Sequence, residues 1–324
     1  MKKILVIGSS NVDIVVDVPH TPKVGETVLA KKTLKFPGGK GANQAFACGK
    51  LGGDVSFLST IGDDEAGELL MSSLRTACVN LDGVAKIGGE NTGTALIYVN
   101  AEGDNCIVVI TGANNRCDVP YVQSQDSMLE NSDIIMIKAE IPLDSVFYSI
   151  KRASEYGKTI IFNPAPAPEK IPDDILSSVD YLTPNESELE KLTGLSTGND
   201  DDIKAACKLL LKKGVKNVIV TLGARGAMLC NGDLITICPG YPAKAVDTTA
   251  AGDTFNGAFA VALAKGCEIT DAIEFANKAA GISVSRKGAQ TSIPSVHEMS
   301  LIKTLPFPEQ ENVYHTQISC CTPV

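Results

Sequence analysis

Short runs of aliphatic and β-branched residues alternate with longer amphipathic stretches along most of the chain. The strand-like runs fall at 4–7, 55–58, 134–137, 159–162 and 218–222, with helical candidates at 65–76, 143–155 and 201–213 between them. Strands apolar on both faces, each followed by a helix, predict an α/β fold whose mostly parallel central sheet is flanked by helices. Asp200-Asp201-Asp202 at a helix start reads as a cap that complements the helix dipole.

Two segments break the alternation. The run 14–18 is followed by Pro19, Pro22 and Gly25-Glu26-Thr27-Val28, which reads as strand, turn, strand. The run 94–99, the turn Ala101-Glu102-Gly103-Asp104 and the run 105–110 read as a β-hairpin. Together, 14–34 and 94–110 predict a small antiparallel sheet inserted into the body. Beside a ligand cleft such a flap is a lid, and at a sheet edge it is decoration; the pattern leaves both open. Past Pro306 and Pro308 the periodicity stops, so 1–308 reads as one domain and 309–324 as a tail.

Composition narrows the class. The 324 residues are 44% apolar and 21% charged, an ordinary globular balance with ample material for a core. A net charge of −9 gives no electrostatic footprint for a nucleic-acid backbone. Ten cysteines without a C-x-x-C pair, and only three histidines, argue against zinc and for a reducing compartment. The apolar run Ile4-Leu5-Val6-Ile7 is too short for a signal peptide, and no segment approaches the ~20 apolar residues of a membrane span. Cys321-Thr322-Pro323-Val324 lacks the aliphatic positions of a prenylation box. The expectation is a cytoplasmic protein.

The chemistry-bearing stretch is Asp247-Thr248-Thr249-Ala250-Ala251-Gly252-Asp253-Thr254, small residues that lead into a helix over 253–265. A helix start of this kind leaves backbone N–H groups unpaired and makes an anion site. Asp253 there is either a helix cap or a base; a base beside an anion site is what phosphoryl transfer to a hydroxyl needs. A second glycine-rich turn, Thr221-Leu222-Gly223-Ala224-Arg225-Gly226, closes a strand where open α/β sheets bind ligands. Asn185 and Glu188, three apart at a helix start, are either a capping pair or the orienting groups of a hydrated Mg²⁺. Near the N-terminus, Asn11 and Asp13 follow the first strand, and Pro37-Gly38-Gly39-Lys40-Gly41-Ala42-Asn43-Gln44 opens a helix. Amides and carboxylates grouped in this way suit a polyol, whose vicinal hydroxyls pair with them bidentately. Neither G-x-G-x-x-G nor a Walker A motif occurs.

From about Ile4 to Pro294, the order of these motifs resembles the ribokinase-like (PfkB) carbohydrate kinase family. The segment from Pro37 to Ala45 is similar to its N-terminal signature, and that from Asp247 to Ala258 to its C-terminal one. Gly112-Ala113-Asn114, Asn163-Pro164-Ala165-Pro166-Ala167, Pro184-Asn185-Glu186 and Arg286-Lys287-Gly288-Ala289-Gln290 extend the likeness. The resemblance implies ATP-dependent phosphorylation of the 5-hydroxyl of ribose, with Asp253 as base and Ala250, Ala251 and Gly252 as anion hole. It implies sugar contacts from Asn11, Asp13, Gly39, Lys40, Gly41, Ala42, Asn43 and Glu140. ATP contacts would come from Asn185, Thr221, Gly223, Arg225, Gly226, Gly252 and Asn277, with Glu188 supporting Mg²⁺ through water. It further implies a K⁺ site from Asp247, Thr249, Ser283, Arg286, Gly288 and Ser292, and a homodimer joined through the lids. Phe46, Cys48, Lys50, Lys138 and Asn277 depart from the usual pattern. Other readings are a kinase of deoxyribose or fructose, and a catalytically silent sugar-binding protein.

Overall fold

The computed structural model describes residues 1–301, so the tail expected at 309–324 lies outside the described residues. Its strands are β1 (Lys3–Ile7), β2 (Asn11–Asp17), β3 (Lys32–Gly38), β4 (Asp54–Gly62), β5 (Asn80–Ile87), β6 (Gly93–Val99), β7 (Asn105–Ile110), β8 (Ile134–Lys138), β9 (Thr159–Asn163), β10 (Tyr181–Leu182), β11 (Asn217–Thr221), β12 (Gly226–Asn231) and β13 (Leu234–Pro239). Its helices are α1 (Lys40–Lys50), α2 (Glu65–Thr76), α3 (Val119–Ser124), α4 (Asp126–Glu130), α5 (Leu143–Glu155), α6 (Asp173–Leu176), α7 (Glu186–Thr193), α8 (Asp200–Lys212), α9 (Ala251–Ala264), α10 (Ile269–Val284) and α11 (Val296–Leu301).

Nine strands form one sheet in the order β13-β12-β11-β10-β9-β8-β1-β4-β5. It is parallel from β11 to β5, and β12 and β13 close it as an antiparallel hairpin that adds to the expected order. The central strands show why both faces are apolar. Ile4, Val6, Ile134 and Met136 enter one core, while Leu5, Ile7, Ile135 and Ile137 enter the other, as the two-residue period of a strand dictates. Helices α1, α2, α9 and α10 cover the first core; α5, α7 and α8 cover the second. Small residues let α1 and α9 touch: the Cys48 thiol donates to the Gly257 carbonyl at 3.6 Å.

The four remaining strands form a second sheet, β3-β2-β6-β7. Both expected hairpins are antiparallel, and a parallel pairing of β2 with β6 joins them. The second strand of the first hairpin runs at Lys32–Gly38 rather than near Val28. Pro19, Pro22 and Gly25 keep the intervening chain off the ladder, and the register sets Asp17 against Lys32 and Asn11 against Gly38. Along β7, Ile107, Val108, Val109 and Ile110 are each about half exposed.

Candidate active site

The carboxyl ends of β1, β8, β9 and β10 converge on the starts of α1 and α9, the edge where open α/β sheets bind ligands. Asp253, in the first turn of α9, is buried there. Its Oδ2 accepts from Asn43 Nδ2 and its Oδ1 from Gln44 Nε2, both at 3.2 Å. Lys138, the last residue of β8, is 1% exposed and places Nζ 3.6 Å from Asp253 Oδ1. The same ammonium donates to Asn163 Oδ1, which also accepts from Gln44 Nε2. Burial pushes the Asp253 carboxyl above the usual carboxylate range, against the pull of the Lys138 and Lys40 charges.

From Asn163 the hydrogen bonds run round to the anion turn. Asn163 Nδ2 donates to the Thr183 carbonyl at 2.6 Å, Thr183 Oγ1 to Asn256 Oδ1 at 2.6 Å, and Asn256 Nδ2 to the Gly252 carbonyl at 2.8 Å. On the other side, Ser73 Oγ donates to Gln290 Oε1, and Gln290 Nε2 to Asn43 Oδ1. Gln44, Thr183, Asn256 and Ser73 were not sequence candidates. Each is a single polar residue at an element's end or within a helix, and only the fold brings them together.

The sugar candidates gather beside this network. Glu140 accepts from Lys40 Nζ at 2.5 Å, from Ser9 Oγ at 2.5 Å and from the Lys40 backbone N–H at 3.2 Å. Burial alone would raise its carboxyl, but Lys40 and Ser9 hold it below its usual value. Asp13 has its carboxyl pushed up to about 6 by burial and by the charge of Glu140. Asn11 Oδ1 accepts from Asn114 Nδ2 at 2.7 Å, which fixes its amide. Gly39, the residue before α1, has φ 85°, and Gly41 and Ala42 present their amides to the Ser9 hydroxyl and carbonyl.

Helix α9 begins differently. Ala250 precedes it in the left-handed conformation, φ 59°, with no side-chain cap. Ala251 donates to the Thr248 carbonyl and Thr254 to that of Ala250. The amides of Gly252 and Asp253 take no acceptor among the described residues. A Cβ added at Gly252 would meet no atom within 4 Å, so the space before this turn is open. A non-glycine residue held at positive φ together with amides that lack an acceptor is an arrangement that can receive an anion.

The nucleotide candidates divide. Thr221 donates its N–H to the Pro184 carbonyl, which brings the turn of Gly223 and Gly226 beside Asn185. Asn185 and Glu188 form a capping box at α7: Asn185 Oδ1 accepts from the Glu188 N–H, and Glu188 Oε2 from the Asn185 N–H. Arg225 is half-exposed and pairs with Asp200 at 2.5 Å and Glu186 at 3.0 Å. Asn277 turns its amide to the Cys238 and Pro239 carbonyls, bracing the end of β13.

Of the cation candidates, Asp247 accepts from the Thr249 and Gly288 N–H groups, each at 2.9 Å, which joins the turn before α9 to the 286–292 loop. Burial would raise its carboxyl, but these bonds hold it below the usual range, so it is a carboxylate. Ser283 and Ser292 donate their hydroxyls to the Ala280 and Ala289 carbonyls, and Arg286 pairs with Glu298 at 2.8 Å. Among the described residues there is no cluster of three His, Cys, Asp or Glu side chains that could hold a metal, and no helix long and apolar enough to cross a membrane.

The model of the pfkB family of carbohydrate kinases matches residues 1–296. The chain belongs to this family. Its membership of the pfkB kinases is repeated in individual relatives. Ribokinase of Haemophilus influenzae is 38% identical over 297 residues, covering 92% of this chain and 97% of that one. A deoxyribokinase of Salmonella typhi is 35% identical over 297 residues, with the same coverage. The structure of Arabidopsis thaliana ribokinase complexed with ribose and ATP superposes with a TM-score of 0.87 at 35% identity, over 93% of this chain and 98% of that one. A pfkB kinase is a sugar-phosphorylating enzyme on a mostly parallel sheet with a small accessory sheet, which is the fold found here.

Proposed function

We propose that this pfkB kinase transfers the γ-phosphate of ATP to the 5-hydroxyl of D-ribose. The observation that carries the reading is the pairing of a buried carboxylate, Asp253, with the unpaired amides at the start of its own helix. The sugar hydroxyl loses its proton to Asp253 as its oxygen bonds to the γ-phosphorus and the bridge to ADP breaks. The amides of Gly252 and Asp253 meet the charge that develops on the phosphoryl oxygens. Asn11, Asp13, Asn43 and Glu140 hold the sugar hydroxyls, with Lys40 setting the Glu140 carboxylate. Relatives named ribokinase favour ribose over deoxyribose as the sugar.

The turn from Thr221 to Gly226 and Asn185 receive the nucleotide. Glu188 has one oxygen, Oε1, outside the capping box, and with water it suits Mg²⁺ carried by ATP. The carboxylate of Asp247 with the carbonyls of Thr249, Ser283, Arg286 and Gly288 is an oxygen donor set that suits K⁺, a weakly hydrated cation. Bound there, the ion would stiffen the turn that presents Gly252. The second sheet closes over the sugar as a lid, and the half-exposed apolar strand β7 joins it to a second copy of the chain.

The test is a coupled kinase assay over ribose, deoxyribose and fructose, in K⁺ and in Na⁺ at equal ionic strength, for the natural chain and Asp253→Asn. Phosphorylation of ribose with the highest kcat/KM, lost by about 10²-fold or more in kcat for Asp253→Asn while ribose still binds, is expected. Near-natural kcat in the variant would refute the base.

A further inference from the structure

Lys138 is a lysine with almost no exposure, and its chain enters the site from the sheet rather than from solvent. A lone ammonium in such a place is costly unless paired. Its neighbours are the Asp253 carboxylate at 3.6 Å and the Asn163 amide oxygen. The charged groups around Asp253 come from four directions: Lys138 and Glu140 from β8 and its extension, Lys40 from α1, Asp13 from β2 and Glu188 from α7. Lys138 makes the one ion pair to Asp253 among the described residues, since Lys40 is turned to Glu140.

The two oxygens of Asp253 are held unequally. Oδ1 faces both Lys138 Nζ and Gln44 Nε2, whereas Oδ2 meets only the Asn43 amide. The lone pair left over belongs to Oδ2. Burial also works on both partners of the pair, pushing the carboxyl up and the ammonium down, and each charge opposes the change in the other. Without the ammonium, burial would push the carboxyl up further, and a larger share of it would hold a proton at any given pH.

We propose that Lys138 is a positioning residue for phosphoryl transfer, which holds Asp253 as a carboxylate and pins Oδ1 so that Oδ2 takes the hydroxyl proton. The inference rests on the reading of Asp253 as base. In the step itself the sugar O–H bond breaks with its proton passing to Oδ2, and the new O–P bond forms as the bridge to ADP opens. Once the carboxyl is neutral, the adjacent ammonium favours release of that proton after the product leaves, and so resets the base.

The experiment is a pH–rate profile of kcat for the natural chain, Lys138→Gln and Lys138→Met, with Asp253→Asn alongside. Gln keeps a donor for Asn163 and loses the charge; Met keeps the length and loses both. The acid limb of both variants is expected to move up by about one to two pH units. At pH ~6 kcat then falls about tenfold or more, and at pH ~9 most of the loss is recovered, leaving a deficit of about three- to fivefold from the unpinned Oδ1. KM for ribose stays within about threefold. An unmoved limb, a Gln variant restored to the natural profile, or a rate depressed equally at every pH would each overturn the proposal. If instead Asp253→Asn keeps its activity, the base reading fails, independently of Lys138. Stability supplies a second readout at pH ~9, where the carboxyl is ionised: Lys138→Met lowers Tm, and Lys138→Met combined with Asp253→Asn regains most of the loss, because the unpaired buried carboxylate is gone. A double variant no more stable than Lys138→Met would overturn the pairing.

Discussion

Helices α1 and α9 pack against each other and begin alike, each after a left-handed residue without a side-chain cap, yet their first turns are occupied differently. At α1 the Lys40 amide donates to Glu140, and those of Gly41 and Ala42 to Ser9. The protein fills that helix start itself, using a carboxylate from beyond β8. At α9 the Gly252 and Asp253 amides remain without acceptor among the described residues. On the proposed function, one helix dipole steadies a carboxylate that would read sugar hydroxyls, while the other is left for a transient charge. The difference lies in tertiary occupancy, since both local sequences are rich in small residues.

Alanine at the two glycines separates the starts. Gly252→Ala is expected to lower kcat/KM by about 10²-fold, as the new methyl stands between the amides and the phosphoryl group. The same change leaves stability untouched or raises it by about 0.5 kcal/mol, because no protein atom lies within 4 Å of the added carbon. Steady-state kinetics beside a melting curve checks both, and full activity would place the anion elsewhere. Gly39→Ala acts in the opposite way. Its φ of 85° and the Asn11 nitrogen 2.6 Å from the added carbon predict a stability loss of about 1–3 kcal/mol. An unchanged Tm would mean that the α1 start is not braced. The smallest effect is expected from Ser9→Ala, about 1 kcal/mol, for the hydroxyl that links Glu140 to the helix. Its sign with pH is fixed. The Glu140 carboxyl sits below its usual value, so its stabilisation is present above the unfolded pKa and is lost as pH falls through the folded one. Losing Ser9 raises the folded value, so the variant's deficit is largest near neutrality and fades in acid. A deficit that grows in acid would contradict the role given to Ser9.

The parallel sheet was legible because β1 and β8 are continuous apolar runs, and a strand with two buried faces has no other composition. The β12–β13 hairpin was not, since Leu234 and Ile237 are exposed and its alternation is weak. In the site, Asp253 and Asn43 were readable because small residues and glycines flank them. Thr183 carries no such marker, and Gln44 and Asn256, although inside those stretches, take their meaning from a hydrogen-bonded path linking residues far apart in the chain. Lys138 stood out only as a departure from the family's usual pattern, and its partner is supplied by a helix more than a hundred positions later.

The accessory sheet also carries two of the residues proposed to hold the sugar. Asn11 and Asp13 are residues of β2, set in register with Gly38 and Phe36 on one side and with Gly93 and Ala95 on the other. On the proposed reading β2 is a lever whose short arm ends in those two side chains and whose long arm, running out to Asp17, bears the rest of the sheet. A sugar that gripped the short arm would then move the long one with it, with no separate signal to pass between recognition and enclosure. A substrate lacking the hydroxyls that reach Asn11 and Asp13 would lose its grip and its cover in the same stroke.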